Sequence, residues 1–231
     1  MRNRAGWAVS LAGLLVLLLG ACGGDAADGD ARAIVQNATA AMGEITTVHF
    51  VLDLEESTIE MIPGMQVTRV EGDVLRPDRM QARMEALAFG MLLSVNFRAI
   101  GATQYVTNPV ATDQWQALAT PAIAGALLDP RDGVTALLAD LTDLRVVGSE
   151  ALDGRAVWRI EARTDNALVA DFLQSDPLPG TTGVEVWIGE ADSLVYRVVL
   201  TGATAAGDTD DARRTIEFAN FEAPVEIIAP F

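Results

Sequence analysis

Residues Arg79-Met80-Gln81-Ala82-Arg83-Met84-Glu85-Ala86 put a polar side chain at every odd position and an apolar one at every even position. Successive side chains of an extended strand point to opposite faces, so this segment reads as a strand with one apolar and one solvated face. Leu93, Val95, Phe97 and Ala99 repeat the pattern against Ser94, Asn96 and Arg98, and a turn at Gly101 leads to a short strand through Tyr105 and Val106. Upstream, Arg76-Pro77-Asp78 turns the chain from a strand over 66–75, while Val48, Phe50, Leu52 and Leu54 alternate with His49, Asp53 and Glu55. These stretches make an antiparallel meander.

The period changes on either side of it. Before the meander, Ile34, Val35, Ala38, Ala41, Met42 and Ile45 have helical spacing, with Asp30 as a candidate cap and Gly43 near the end. After it, Thr120-Pro121 opens a stretch with Ile123, Leu127 and Leu128, and Asp129-Pro130 precedes a helix carrying Val134, Leu137, Leu138, Leu141 and Leu144. Strands resume over 144–150. The Asp153-Gly154 turn follows, and then Ala156, Trp158, Ile160 and Ala162 face away from Val157, Arg159, Glu161 and Arg163. A short helix over 166–173 and strands over 184–188, 194–200, 214–221 and 225–228 complete the chain, and the polar loop over 202–211 is the least ordered internal segment by composition. The expected class is α+β, with one large antiparallel sheet of about ten strands that curls, helices covering its concave apolar face.

Cys22 is the only thiol. Arg2 and Arg4, an uncharged apolar run from Trp7 to Leu19 and small residues before the cysteine mark residues 1–21 as a secretory signal. Leu19-Gly20-Ala21-Cys22 resembles the bacterial lipobox, which implies acylation of Cys22. The expected organisation is signal 1–21, lipidated flexible tether 22–31 and one domain over 32–231, exported and held at the outer face of a membrane.

All 16 basic residues are arginine, against 32 acidic ones. Such a surface repels nucleic acid. With Cys22 acylated no thiol remains, and His49 is the sole histidine, so neither a zinc site nor a serine or cysteine hydrolase is expected. Asp208, Asp210 and Asp211 lack the spacing of a calcium loop and read as a solvated acidic loop. No glycine loop cradles phosphate, no carboxylate pair stands out, and no cofactor is expected. The chain reads as a non-enzyme, and the residues left to act are apolar. Met80, Met84, Leu93, Val95 and Phe97, with Met91 and Leu92, face Ile123, Leu127, Leu137 and Leu138 in a helix-roofed sheet that Trp158 and Val186 extend. Periodicity marks that face without deciding whether a closed core or a ligand fills it.

Several stretches together resemble the mycobacterial lipoprotein family of LppX and LprG. They are the lipobox, Val70-Glu71-Gly72-Asp73-Val74 through Met84, Arg98 to Pro109, Leu128-Asp129-Pro130-Arg131-Asp132-Gly133 through Leu141, the Gly148 to Arg159 hairpin, Val186-Trp187-Ile188-Gly189, and Phe221-Glu222-Ala223-Pro224-Val225-Glu226-Ile227. The resemblance implies a half-barrel related to the lipoprotein carriers of Gram-negative periplasms, whose concave side holds acyl chains of lipids or lipidated glycolipids in transit across the envelope. Its partners would be that ligand, the membrane reached through Cys22 and an envelope transporter. The acidic surface and the absence of lysine are the departures. The rival reading is an envelope lipoprotein with a closed core acting as a sensor or protein-interaction module.

Overall fold

A computed structural model describes residues 24–57, 64–111, 113–118, 133–173 and 176–231. The described elements are α1 (Gly24–Glu44), β1 (Thr47–Glu55), β2 (Gln66–Leu75), β3 (Arg79–Ala88), β4 (Met91–Ile100), β5 (Thr103–Thr107), β6 (Trp115–Ala117), α2 (Thr135–Asp140), β7 (Thr142–Leu152), β8 (Arg155–Asp165), α3 (Asn166–Leu173), β9 (Thr181–Gly189), β10 (Val195–Thr201) and β11 (Arg213–Ala219). The eleven strands form one open sheet in the order β6-β5-β4-β3-β2-β1-β11-β10-β9-β8-β7, antiparallel throughout.

Register carries the alternation across the whole sheet. One row runs Val95, Met84, Val70, Leu52, Ile216, Val198, Val186, Ile160, Val146, from β4 to β7. Its neighbour on the opposite face runs Ser94, Glu85, Arg69, Asp53, Thr215, Val199, Glu185, Glu161, Arg145. The apolar row lies on the concave side, where Ala31, Val35, Ala38 and Met42 of α1 join the main core. Arg69–Asp53, Arg159–Glu185 and Arg197–Glu217 lace the polar side. Each such exposed pair adds only tenths of a kcal/mol, to about 1 kcal/mol at most.

Several local expectations differ from the structure. α1 begins at Gly24, so residues 24–31 are helical where the sequence suggested a tether with a cap at Asp30. The helix before β7 stops at Asp140 because Leu141 is extended (ψ 130°), and Leu144 belongs to β7. β6 was not expected, because three residues are too few to show a period. Residues 225–228 form no strand. They belong to an extended strap crossing the end of the sheet, where the carbonyls of Ile227 and Ile228 accept from Arg79 and Arg98 (3.1 Å each) and Ile227 is fully buried. Val157 is not on a polar face: with Trp187, Tyr196 and Val199 it forms a small convex core, against which Phe221 packs edge-on to Tyr196.

The loop over 202–211 is the largest departure, since it is pinned and not loose. Arg214 occupies a concave position between Leu54 and Leu200 and is fully buried. Its guanidinium donates to the Asp208 carboxylate, to Ser57 Oγ (3.3 Å) and to the Gly202 carbonyl (3.2 Å). Asp208 Oδ2 also accepts from the N–H groups of Thr204 and Ala205 (3.0 Å each). Burial opposes ionisation of Asp208, but those N–H groups and the guanidinium outweigh it and hold the carboxyl below its ordinary value. At the other end of the sheet, the Arg76 guanidinium caps the Met42 and Gly43 carbonyls in the last turn of α1 and also donates to the Ile45 carbonyl just beyond it.

A carboxyl whose native pKa is depressed contributes stability above its unfolded value and loses it as pH falls through the native one. Asp208→Asn should therefore lower stability at pH 7 by about 3–5 kcal/mol. It should also flatten the loss of stability that the parent chain shows below about pH 4. Urea unfolding across that range tests both, and equal acid profiles would contradict the assignment.

Candidate functional site

The described helices do not pack evenly along the concave face. Among the described residues α1 packs on α2, β7 and β9, and Met42 Sδ accepts the Val195 N–H of β10. That half of the sheet is closed by its own helix. The β1–β5 half carries three adjacent apolar rows: Val48, Val74, Met80, Ala99; then Phe50, Gly72, Ala82, Phe97, Val106; then Leu52, Val70, Met84, Val95. The middle row is large, small, small, large. Gly72 and Ala82 are the small residues between Phe50 and Phe97 in that row. β2 and β3 also approach closely there, since a Cβ on Gly72 would lie 2.1 Å from the Gln81 carbonyl oxygen and 2.9 Å from Ala82 Cβ.

The residues proposed from sequence fall into two groups. Met80, Met84, Leu93, Val95 and Phe97 are neighbours on β3 and β4; Met80, Val95 and Phe97 are buried, whereas Met84 and Leu93 are half-buried. Leu137, Leu138 and Val186 are buried in the core of the α1 half, with Trp158 partly buried against it. Four strands separate β3 from β9 along the sheet, yet Met80, Phe97, Leu137, Leu138 and Val186 belong to one core cluster, with Met84 and Trp158 packed against it. Met91 and Leu92 are exposed, and Leu92 pairs with Leu87 on the convex side. Cys22, Ile123 and Leu127 lie outside the described residues.

Phe50, Gly72 and Ala82 share this face but were not among the candidates read from the sequence. Phe50 and Ala82 carry the same alternation as Met80, but which residues share a row depends on register, and a glycine in a strand shows no side for a period to mark. Gln104, paired with Ala99, is the polar interruption on this face, and its Oε1 is buried with no hydrogen-bond partner among the described residues.

The convex side holds a separate polar groove of about 770 Å³ lined by His49, Asp73, Gln81, Arg98 and Trp115. His49 Nδ1 lies 2.9 Å from Asp73 and Nε2 lies 3.6 Å from Glu71, so both ring nitrogens face carboxylates. Among the described residues no group of three or more His, Cys, Asp or Glu side chains is placed to hold a metal ion, and no helix is long and apolar enough to cross a membrane.

Residues 30–227 match the family model described as LppX_LprAFG lipoprotein. The chain belongs to that family. Lipoprotein LprA of Mycobacterium tuberculosis is 30% identical over 179 residues, covering 73% of this chain and 70% of LprA. The lipoarabinomannan carrier protein LprG of the same species is 25% identical over 169 residues, covering 70% of this chain and 67% of LprG. The solved structures of LprF from Mycobacterium bovis (TM-score 0.68, 21% identity, 87% of this chain and 97% of LprF) and LppX from M. tuberculosis (0.63, 22%, 87% and 100%) share the fold. The half-barrel is thus the architecture of the LppX_LprAFG family.

The β2–β3 approach yields a stability test. Gly72→Val should lower stability by about 1–3 kcal/mol, because the new side chain must push the two strands apart. Ala82→Gly, opposite it, should cost less. Urea midpoints rank the two, and a neutral Gly72→Val would show that the strands are not tightly apposed.

Proposed function

We propose that this LppX_LprAFG protein is an envelope lipoprotein that carries acyl chains of lipids or lipidated glycolipids on the β1–β5 half of its concave face. The continuous apolar face with small residues between two phenylalanines carries the reading. An acyl chain laid there gains about 25 cal/mol for each Å² of apolar area removed from water and needs no covalent step. Met84 and Leu93, half-buried on β3 and β4, are adaptable contacts for chains of different shape. The name of LprG, a lipoarabinomannan carrier, supports a lipidated glycolipid as the ligand class. The strongly acidic surface, at a formal charge of −16, favours recognition through the acyl chains over recognition through anionic groups.

In the same reading residues 1–21 are a signal, Cys22 is acylated, and the domain stays at the outer face of the membrane beside its ligand's source. An envelope transporter is the partner to which such a carrier delivers. Of the remaining sequence-derived candidates, Leu137 and Leu138 on α2 would roof the sheet, and Val186 and Trp158 would extend its apolar face.

Two measurements test the proposal. Native mass spectrometry of detergent-free protein should show co-purifying lipid, and Met84→Trp with Leu93→Trp should weaken uptake of a fluorescent acyl probe about tenfold, or about 1.4 kcal/mol, at unchanged melting temperature. Neither lipid nor probe binding to the parent chain would leave the closed-core interaction module as the reading. Cys22→Ala should release the protein from the membrane fraction yet retain full probe binding, and loss of both properties would show the anchor misassigned.

A further inference from the structure

The alternation that defines β3 and β4 fails at their shared turn. From Ala86 to Leu93 the sequence reads Ala-Leu-Ala-Phe-Gly-Met-Leu-Leu, eight residues without a charge or a polar side chain in a chain of formal charge −16. Leu87 pairs with Leu92 on the convex side and Ala88 with Met91 on the concave side, so this end of the hairpin is apolar on both faces. It is also exposed: Phe89 by 95%, Leu92 by 62%, Met91 by 57% and Leu87 by 43%. Phe89 (φ 52°) and Gly90 (φ 75°) form a two-residue turn with both residues left-handed, a conformation for which hairpins favour Asn-Gly and which here turns an aromatic ring into solvent.

We propose that this tip docks the protein on a lipid bilayer, with Phe89 and its leucine and methionine neighbours entering the interfacial layer; the inference rests on the carrier reading above. Position argues for a bilayer as the occupant. Arg76, at the start of the β3 hairpin, caps the C-terminal end of α1, and β3 then runs ten residues, about 33 Å, away from that point. α1 runs back from it for 21 residues, about 31 Å, and packs on α2 just before β7 begins. Strand pairing puts the start of β7 and the tip of β3 at the same end of the sheet. Chain length keeps Cys22, two positions ahead of Gly24, within about 8 Å of the start of α1. The proposed anchor and the apolar tip therefore point the same way.

Charge argues in the same direction. Glu85, the nearest acid on β3, lies below the tip beside Arg83 (3.9 Å) and outside the uncharged stretch. A neutral apolar tip can enter an interface that the rest of this acidic surface would avoid, and its binding should be insensitive to salt. From the tip the concave row continues inward through Ala86 and Leu93 to Met84 and Val95, which joins docking to the apolar face.

The experiment uses the full chain anchored to phosphatidylcholine vesicles whose acyl chains are brominated. Phe89→Trp should lose at least half of its added fluorescence to the bromines, equally in 0.1 and 0.5 M salt. A fluorescent acyl lipid should pass from vesicles to Leu87→Asp/Phe89→Asp at least tenfold more slowly than to the parent, whereas uptake of the same lipid from detergent micelles should be equal. An unquenched reporter, equal transfer from vesicles, or a tip covered by a second copy in solution would overturn docking. If the parent takes up no lipid from either source, the carrier reading fails while the quenching result still decides whether the tip docks.

Discussion

The structure depends on keeping one antiparallel register across eleven strands. With a side-chain period of two, a slip of one residue anywhere would exchange the apolar and charged rows beyond it. The pair that joins the two halves is β1 with β11, where Phe50 faces Phe218 and Leu52 faces Ile216. Through that seam the meander β1–β6 and the block β7–β11 share one concave face, and the ladder of arginines and acids on the other side penalises any slip by bringing like charges together. The outer edges are guarded differently. β6 is only three residues long, and β7 carries register shifts near Thr142 and Val146, two ordinary ways of keeping an edge from recruiting another chain.

The β3–β4 architecture was legible because those strands are half polar, which makes the period visible. Legibility failed where a second apolar surface existed. Val157 sits next to Trp158 and both are apolar, so a reading that allows only one buried face assigns Val157 to solvent, whereas Trp187, Tyr196 and Val199 give it a convex core of its own. It failed again at Arg214, a charge at an apolar position, which makes sense only once Asp208 is brought beside it. The apolar residues of the face were visible, but not which of them share a row across the strands, since that depends on register. The 225–228 segment alternates as a strand would, yet it joins no ladder among the described residues, and its carbonyls accept from the Arg79 and Arg98 side chains.

The two halves of the face divide the work of the domain. On one half, Met42, Leu138, Val186 and Ile160 are fully or almost fully buried, and a cavity there would cost several kcal/mol in stability. On the other, Gly72 and Ala82 are small and Met84 and Leu93 are only half-buried. The buried half and the loop clamped by Arg214 hold the sheet in its curved form.

The β1–β11 seam also has a consequence for how the chain is made. His49 is synthesised early and its neighbour Ala219 near the end, so β1 must wait for almost the whole chain before its second edge is paired. Until β11 arrives, the strands destined for the centre of the sheet are edges, with open backbone groups along an apolar face. A chain stopped before Arg213 is therefore not a slightly smaller half-barrel. It is two unjoined sheets whose stickiest strands lie outermost, a product that cellular quality control must intercept before it assembles with its own kind.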